Sequence, residues 1–408
     1  MTQEPEHDVV IVGGRVAGAS LAILLARQGR DVVVLDRDRF PSDTLSTHYV
    51  SAVGVGRLAQ LGALDGLLEA GFRRITRART YVDDCILEGP ALSVGPGFGM
   101  APRRDILDAL LQQCAVEAGA DVRTLTSVDG LVEEDGRVAG VVVDGRELRA
   151  RVVVGADGKS SKVARWVGAE TYREVPPARA GYYGYYRGVR PLVEPAVEII
   201  FVGDTVAFLF PMRPGEDCLA MEVPNGRFEE FRSDPQGTFE RVYRSLPGMA
   251  DRLADAVLED RIMGTKGIPN HFRVPFGPGW ALTGDAAYLK DPITGLGIGD
   301  ALSQSFLLAD ALGAALDGAD WTETMSAYQA QRDEALLPLF DLTIDALETP
   351  TPPVAELDRL RGVLANPFTA RSVSYWLPDN LEQVLDPGRQ ALVQLTARGF
   401  AAQREPQL

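Results

Sequence analysis

Residues 8–36, DVVIVGGRVAGASLAILLARQGRDVVVLD, leave few folds open to this chain. The apolar run at 8–12 suits a strand buried on both faces of a parallel sheet. A glycine turn follows, then a helix over about 17–28 with Leu21, Leu24 and Leu25 on its apolar side and Gly29 closing it, then a second strand at 32–35. Gly13 and Gly18 keep the first-to-last spacing of GxGxxG. Asp36 ends the second strand, where an acidic side chain hydrogen-bonds an adenosine ribose. The first glycine permits a tight turn, the last permits close helix packing, and the helix N-terminus receives a pyrophosphate. Arg15 stands where the middle glycine belongs, at the closest backbone approach to that pyrophosphate. Its charge compensates at an anion site for the lost closeness; the competing reading is a strand–turn–helix that binds no nucleotide.

A chain of 408 residues exceeds one ordinary core, so a second lobe is expected. Residues 37–50 read as loop, 51–70 as helix with Leu58, Leu61, Leu64, Leu67 and Leu68 buried, 76–87 as a strand, 95–102 as a Gly/Pro-rich loop and 103–118 as a helix. A strand at 122–125, hairpins at Asp135-Gly136 and Asp144-Gly145, and a buried strand at 151–155 carry the nucleotide lobe to about residue 170. From 178 to 223, aromatic-rich strands follow one another without helices, the pattern of an antiparallel sheet. Helices at 237–258, a strand, loop and long helix over 280–316, and a helical tail from 321 with a kink at Pro338 and a break at 349–353 close the chain. The expected organisation is α/β. A Rossmann-like nucleotide domain takes residues 1–175 with 271–330, an antiparallel β-sheet substrate domain takes 176–270, and a helical C-terminal region takes 331–408.

The net charge of −16 argues against nucleic acid or an anionic membrane as partner, because a phosphate-binding surface needs a basic footprint. No run approaches the roughly 20 apolar residues of a membrane span. The acidic N-terminus precedes an apolar run too short for a signal peptide, so a cytoplasmic location is expected. Cys85, Cys114 and Cys218 lie far apart with no CxxC, which indicates neither a disulfide framework nor a metal site; they read as buried, inert thiols.

Two later segments, VVVGADGKSSKVAR at 152–165 and WALTGDAAYLKDPITGLGIGDAL at 280–302, follow the first fingerprint in order. Together the three resemble the signatures of the flavoprotein monooxygenase family typified by para-hydroxybenzoate hydroxylase, which also includes geranylgeranyl reductases and flavin halogenases. The Gly-x-Arg-x-Ala-Gly turn resembles that of a bacterial subgroup of this family. The resemblance implies a bound FAD and NADH or NADPH as a transient reductant. It assigns Gly13, Arg15, Ala17, Gly18, Asp36 and Arg37 to the cofactor, and Asp285 of Gly284-Asp285 to a hydrogen bond from the ribityl chain. Gly295, Leu296 and Gly297 would open the long helix beneath the flavin ring, with Pro292 near its reactive face. A helix N-terminus there favours the negative charge that reduced flavin carries near N1. Asp157 of Asp157-Gly158 is associated in the family with FAD and the pyridine nucleotide; its alternative role is an Asx-type bond that shapes the turn. Arg104 matches the family's arginine near the phosphate and ribityl region, with Arg103 the competing assignment.

The loop at 40–50 follows the second strand directly and so lies near the ribityl and ring end of the cofactor. It holds His48, with Ser46 and Thr47 as hydroxyl donors. His48 is a candidate for proton handling or substrate orientation, against the plainer role of satisfying local carbonyls. Oxygen chemistry on a flavin asks for a dry, shaped cavity more than for a catalytic triad. Tyr183 and Tyr185 share one face of a strand, as do Phe208 and Phe210, and such an aromatic floor suits a large flat small molecule; core packing is the alternative. The expected activity is that of a single-component FAD-dependent monooxygenase hydroxylating or epoxidising an aromatic or polyketide-like substrate. Alkene reduction of the geranylgeranyl reductase type is the alternative, and a non-catalytic flavin-binding role the third. Halogenation is set aside: the family's halogenases use a first-lobe lysine and a Trp-x-Trp-x-Ile-Pro segment, and here no lysine precedes Lys159.

Overall fold

The apolar run that opens the chain is the centre of an eight-stranded sheet. His7–Val12 pairs in parallel with Val32–Leu35 on one side and with Arg146–Gly155 on the other. Trp280–Leu282 adds in parallel beyond Arg146–Gly155, and Asp121–Arg123 beyond Val32–Leu35. A computed structural model describes residues 6–82, 85–90 and 97–348. The break expected at 349–353 and the rest of the C-terminal region lie outside the described residues, as do residues 95–96 and the side chain of Cys85.

Burial on both faces explains why the strands are continuously apolar. Val9 and Ile11 pack with the helices Val16–Arg27, Arg104–Ala118 and Gly297–Leu316. Val10 and Val12 point the other way, onto Val138, Val141, Leu148 and Val163 from a folded-back hairpin and the short helix Lys162–Trp166. That hairpin turns at Asp135-Gly136 and again at Asp144-Gly145, all four residues having positive φ as a primed turn requires.

The second sheet runs in the order Val257–Leu258, Arg179–Arg187, Glu216–Pro224, Thr205–Arg213, Ala196–Val202, Arg77–Val82, Cys85–Pro90. The strand expected at 76–87 is therefore two strands paired as a hairpin, and they belong to this sheet. Because Arg77–Val82 lies parallel to Ala196–Val202, the sheet is mixed and not purely antiparallel. One face is covered by Phe231, Phe239 and Tyr243 of the helices Phe228–Arg232 and Pro235–Ser245. The other face looks towards the first lobe.

Two further expectations shift. The helix at 51–70 breaks at Gly62, whose φ of 89° stops Ala52–Leu61 before Leu64–Glu69 begins. The strand expected at 122–125 ends at Arg123, and Leu125 is exposed with a positive φ. Helix Trp321–Glu348 carries Pro338 within it, and Phe340, Leu336 and the buried Arg332, which donates to the Arg273 carbonyl, dock it against Phe272 and Tyr288. No helix among the described residues is long and apolar enough to cross a membrane.

Candidate functional site

Register fixes where the three signatures meet. Val12 lies level with Leu35 and Gly155, and Gly155 with Leu282, so these four strands end in line. The segments that follow them, which carry Gly13, Asp36, Asp157 and Gly284-Asp285, leave from one edge of the sheet. Ligands of open α/β sheets bind outside these carboxyl ends. A cavity of about 430 Å³ lies there, between this edge and the second sheet. Gly13, Arg15, Ala17, Asp36, Arg37, Arg104, Asp157, Asp285, Pro292, Gly295 and Gly297 all border it.

The glycines divide by what they approach. A Cβ on Gly18 would lie 1.8 Å from the Gly13 carbonyl oxygen, and one on Gly13 would lie 2.4 Å from the Ala156 oxygen. Those two serve protein-to-protein packing, as the fingerprint requires. A Cβ on Gly297 would meet no protein atom within 4 Å, so its openness faces the cavity at the start of the long helix. Gly284 presses against Ala17, and Ser305 donates to the Ala17 carbonyl, which locks the third signature to the first. Leu296 caps the long helix and does not itself border the cavity.

Arg15 is neither a loose substitute for glycine nor a free cation. Its guanidinium donates to Asp108 at 2.7 Å, Asp38 at 3.1 Å, and the carbonyl and hydroxyl of Ser42, while lying 5.0 Å from the Phe40 ring. Asp108 is fully buried and also receives both Nε and Nη2 of Arg104. The turn is thereby tied to helix Arg104–Ala118. Arg103 is directed elsewhere, to Glu216 and over the Tyr185 ring at 4.0 Å, so of the two arginines Arg104 is the one at the cavity. Arg37 is exposed beside Asp38.

Asp36 accepts from the Gly14 N–H at 2.7 Å and the Asp38 N–H at 2.8 Å. Burial lifts its pKa above the ordinary value although both N–H groups oppose this. Asp157 accepts from Ser161 Oγ and the N–H groups of Lys162 and Val163, so its carboxylate shapes the turn and starts the short helix. Asp285 has open area towards the cavity while protein surrounds it. Burial raises its pKa to about 6, with Arg104 opposing.

His48 and Tyr185 do not border the cavity. His48 is wholly buried behind its wall, Nε2 sitting 2.7 Å from the Tyr185 hydroxyl, which donates in turn to Asp43. Nδ1 lies 3.7 Å from the Cys218 sulfur. A neutral ring that donates through Nε2 and accepts at Nδ1 fits all three contacts. Burial, aided by Arg104 and Arg103, drives its pKa down to about 3. The partners are a hydroxyl and a thiol, not the carbonyls of the plainer expectation. Ser46 and Thr47 from the same loop do reach the cavity, as do Tyr183, Phe208 and Phe210.

Sequence reading missed two acids of this cavity, Glu222 and Asp291, together with Lys290, which forms a buried 2.7 Å pair with Asp300. A signal existed for Glu222: in EDCLAMEVP it shares strand parity with Cys218 and Ala220, placing a charge on an inward face. No cluster of side chains suited to holding a metal ion occurs among the described residues.

Residues 6–341 match the model of a family described as FAD binding domain. A digeranylgeranylglycerophospholipid reductase from Methanocella arvoryzae is 26% identical over 347 residues, covering 81% of this chain and 84% of the relative. A rifampicin monooxygenase from Rhodococcus hoagii is 24% identical over 397 residues, covering 90% of this chain and 79% of the relative. The solved structure of the flavin-dependent brominase Bmp2 superposes with a TM-score of 0.81 at 19% identity, over 98% of this chain and 100% of that one, a likeness of fold alone. With three signatures converging on one cavity, a helix start left open by Gly297 and a carboxyl at Asp285 facing the same space, the chain belongs to the FAD-binding, para-hydroxybenzoate hydroxylase-like family of oxidoreductases.

Proposed function

We propose that the protein is an FAD-dependent monooxygenase that draws electrons from NADH or NADPH and hydroxylates or epoxidises an aromatic or polyketide-like small molecule. The observation that carries this reading is that one cavity is bounded both by the nucleotide turns and by Tyr183, Phe208 and Phe210 of the second sheet. FAD, when bound, supplies the redox and oxygen chemistry. The chain's residues would hold and orient it: Gly13 and Gly18 set the turn, Asp36 and Arg104 border the cavity, and Asp285 would offer an acceptor to a ribityl hydroxyl. The N-terminus of helix Gly297–Leu316 offers N–H groups to developing negative charge. The aromatic floor excludes water and gives a flat substrate a surface to stack on. His48, from behind the wall, holds Tyr185 and hence the Asp43 end of the loop that lines the cavity.

Turnover of the flavin-loaded enzyme with reduced nicotinamide and a panel of aromatic and polyketide candidates under labelled dioxygen tests the proposal. Label in the product is expected. Product formation without label would reject it. The reductase relative favours a second reading, alkene reduction, which predicts turnover under anaerobic conditions and a product heavier by two hydrogens.

A further inference from the structure

The cavity-facing side of the second sheet is built in rows. Gly181, Glu222 and Val206 lie level, then Tyr183, Ala220 and Phe208, then Tyr185, Cys218 and Phe210. Small residues fill the central strand in two rows, and the aromatic residues stand on either side. Glu222 is the single charged side chain in the three rows. It is 4% exposed, it borders the cavity, and its Oε2 has no hydrogen-bond partner.

Asp291 approaches Glu222 from the opposite wall, in the turn before Pro292, and is equally buried. Its Oδ1 accepts the Ile293 N–H at 3.1 Å, while its own N–H donates to Asn270. Arg179, on the neighbouring strand, comes within 3.6 Å of Glu222 Oε2, too far for a hydrogen bond, and donates through Nη2 to the carbonyls of Asp204 and Glu222. Lys290 on the same wall is neutralised by Asp300. Two carboxyls facing one arginine therefore leave one uncompensated negative charge or one shared proton. Burial, each other's charge and their mutual contact raise Glu222 well above the ordinary carboxyl range, and burial lifts Asp291 to about 6.

Both signs of charge line the cavity: Arg15, Arg37, Arg104, Lys159 and Lys162 stand among the nucleotide turns with Asp36, Asp38 and Asp157, whereas among the described residues the one cation lining it beside Glu222 and Asp291 is Lys290, already paired with Asp300. A buried carboxyl oxygen whose nearest cation stands 3.6 Å away, beside a second carboxyl and aromatic rings, is matched by a protonated amine. It would donate to both carboxyls, release their shared proton, and lie against ring faces that attract cations. We propose that Glu222 and Asp291 form a subsite for the ammonium group of the substrate, so that the molecule oxidised is an aromatic compound bearing an aliphatic amine. The proposal rests on the reading of this cavity as a substrate site.

Binding to the flavin-loaded protein tests it without turnover, so a missing oxygen label would sink the monooxygenase reading and leave this one standing. Phenethylamine and its neutral counterpart 2-phenylethanol are titrated while the bound flavin's absorbance is followed, with calorimetry in two buffers counting protons. We expect the amine to bind at least about tenfold more tightly than the alcohol, since hydrogen bonds to charged groups are the stronger kind. Its affinity should rise as pH increases through about 6, with proton release on binding. Glu222→Gln, with FAD content checked, should remove the amine's advantage and leave the alcohol unchanged; Asp291→Asn supplies the same readout should that variant not fold. Equal or weaker binding of the amine, no detectable binding of it, or an amine affinity indifferent to these substitutions would overturn the proposal.

Discussion

His48 carries no charge in the fold, and this has a pH signature. The unfolded chain protonates the ring near the ordinary value of 6.5, the folded chain only near 3. Between those values the unfolded state binds the extra proton, so stability is full above about 6.5 and falls as pH drops towards 3, by at most about 1.4 kcal/mol per pH unit. His48→Asn, whose residue tolerates the positive φ of 61° found there, should flatten that part of the profile. Urea melts of both proteins at pH 7 and pH 5 measure this; an equal drop in the two would show that the ring is not the group responsible. Asp285→Ala should weaken FAD retention by about 1–3 kcal/mol, the cost of an unpaired buried hydroxyl, read by flavin absorbance after gel filtration. Full occupancy in the variant would remove Asp285 from the cofactor's contacts.

The same distinction between protein contact and ligand contact holds for whole elements. Helix Gly297–Leu316 begins with a glycine on which an added Cβ would meet no neighbouring element within 4 Å and which has no positive φ, so Gly297→Leu should leave the thermal stability of the flavin-free chain unchanged while abolishing flavin retention. A loss of both would make Gly297 a packing residue. The first turn depends on helix Arg104–Ala118 through Asp108, which serves Arg15 and Arg104 together. Asp108→Ala leaves two cations without their shared buried carboxylate and should cost about 3–5 kcal/mol in denaturant unfolding; a change under about 1 kcal/mol, the range of an exposed pair, would mean that the network is slack. Strand and helix identities here were legible because local patterns carry them: apolar runs for buried strands, Asp-Gly for primed turns, spaced leucines for helices. The division of 51–70 by Gly62 could have been read from its glycine-alanine step. The hairpin of Arg77–Val82 and Cys85–Pro90 could not, since its membership in the second sheet is decided by a partner strand far along the chain.

Across the whole molecule, the nucleotide edge of the first sheet and the aromatic face of the second enclose one space, and function follows from that enclosure. Local sequence alone carries the three signatures, their order, the strand–turn–helix that begins the fold, and the parity that gives Tyr183 and Tyr185 one face of their strand and Phe208 and Phe210 one face of theirs. These depend on neighbours a few residues apart. Tertiary structure alone decided that Arg15 is held by Asp108 and Asp38, that Tyr185 and His48 bond to each other behind the wall and do not reach the cavity, and that Glu222 meets Asp291. Each of these contacts joins segments between 23 and 137 residues apart, and which side chains meet across such separations is set by strand register and the docking of two sheets, information no local pattern contains.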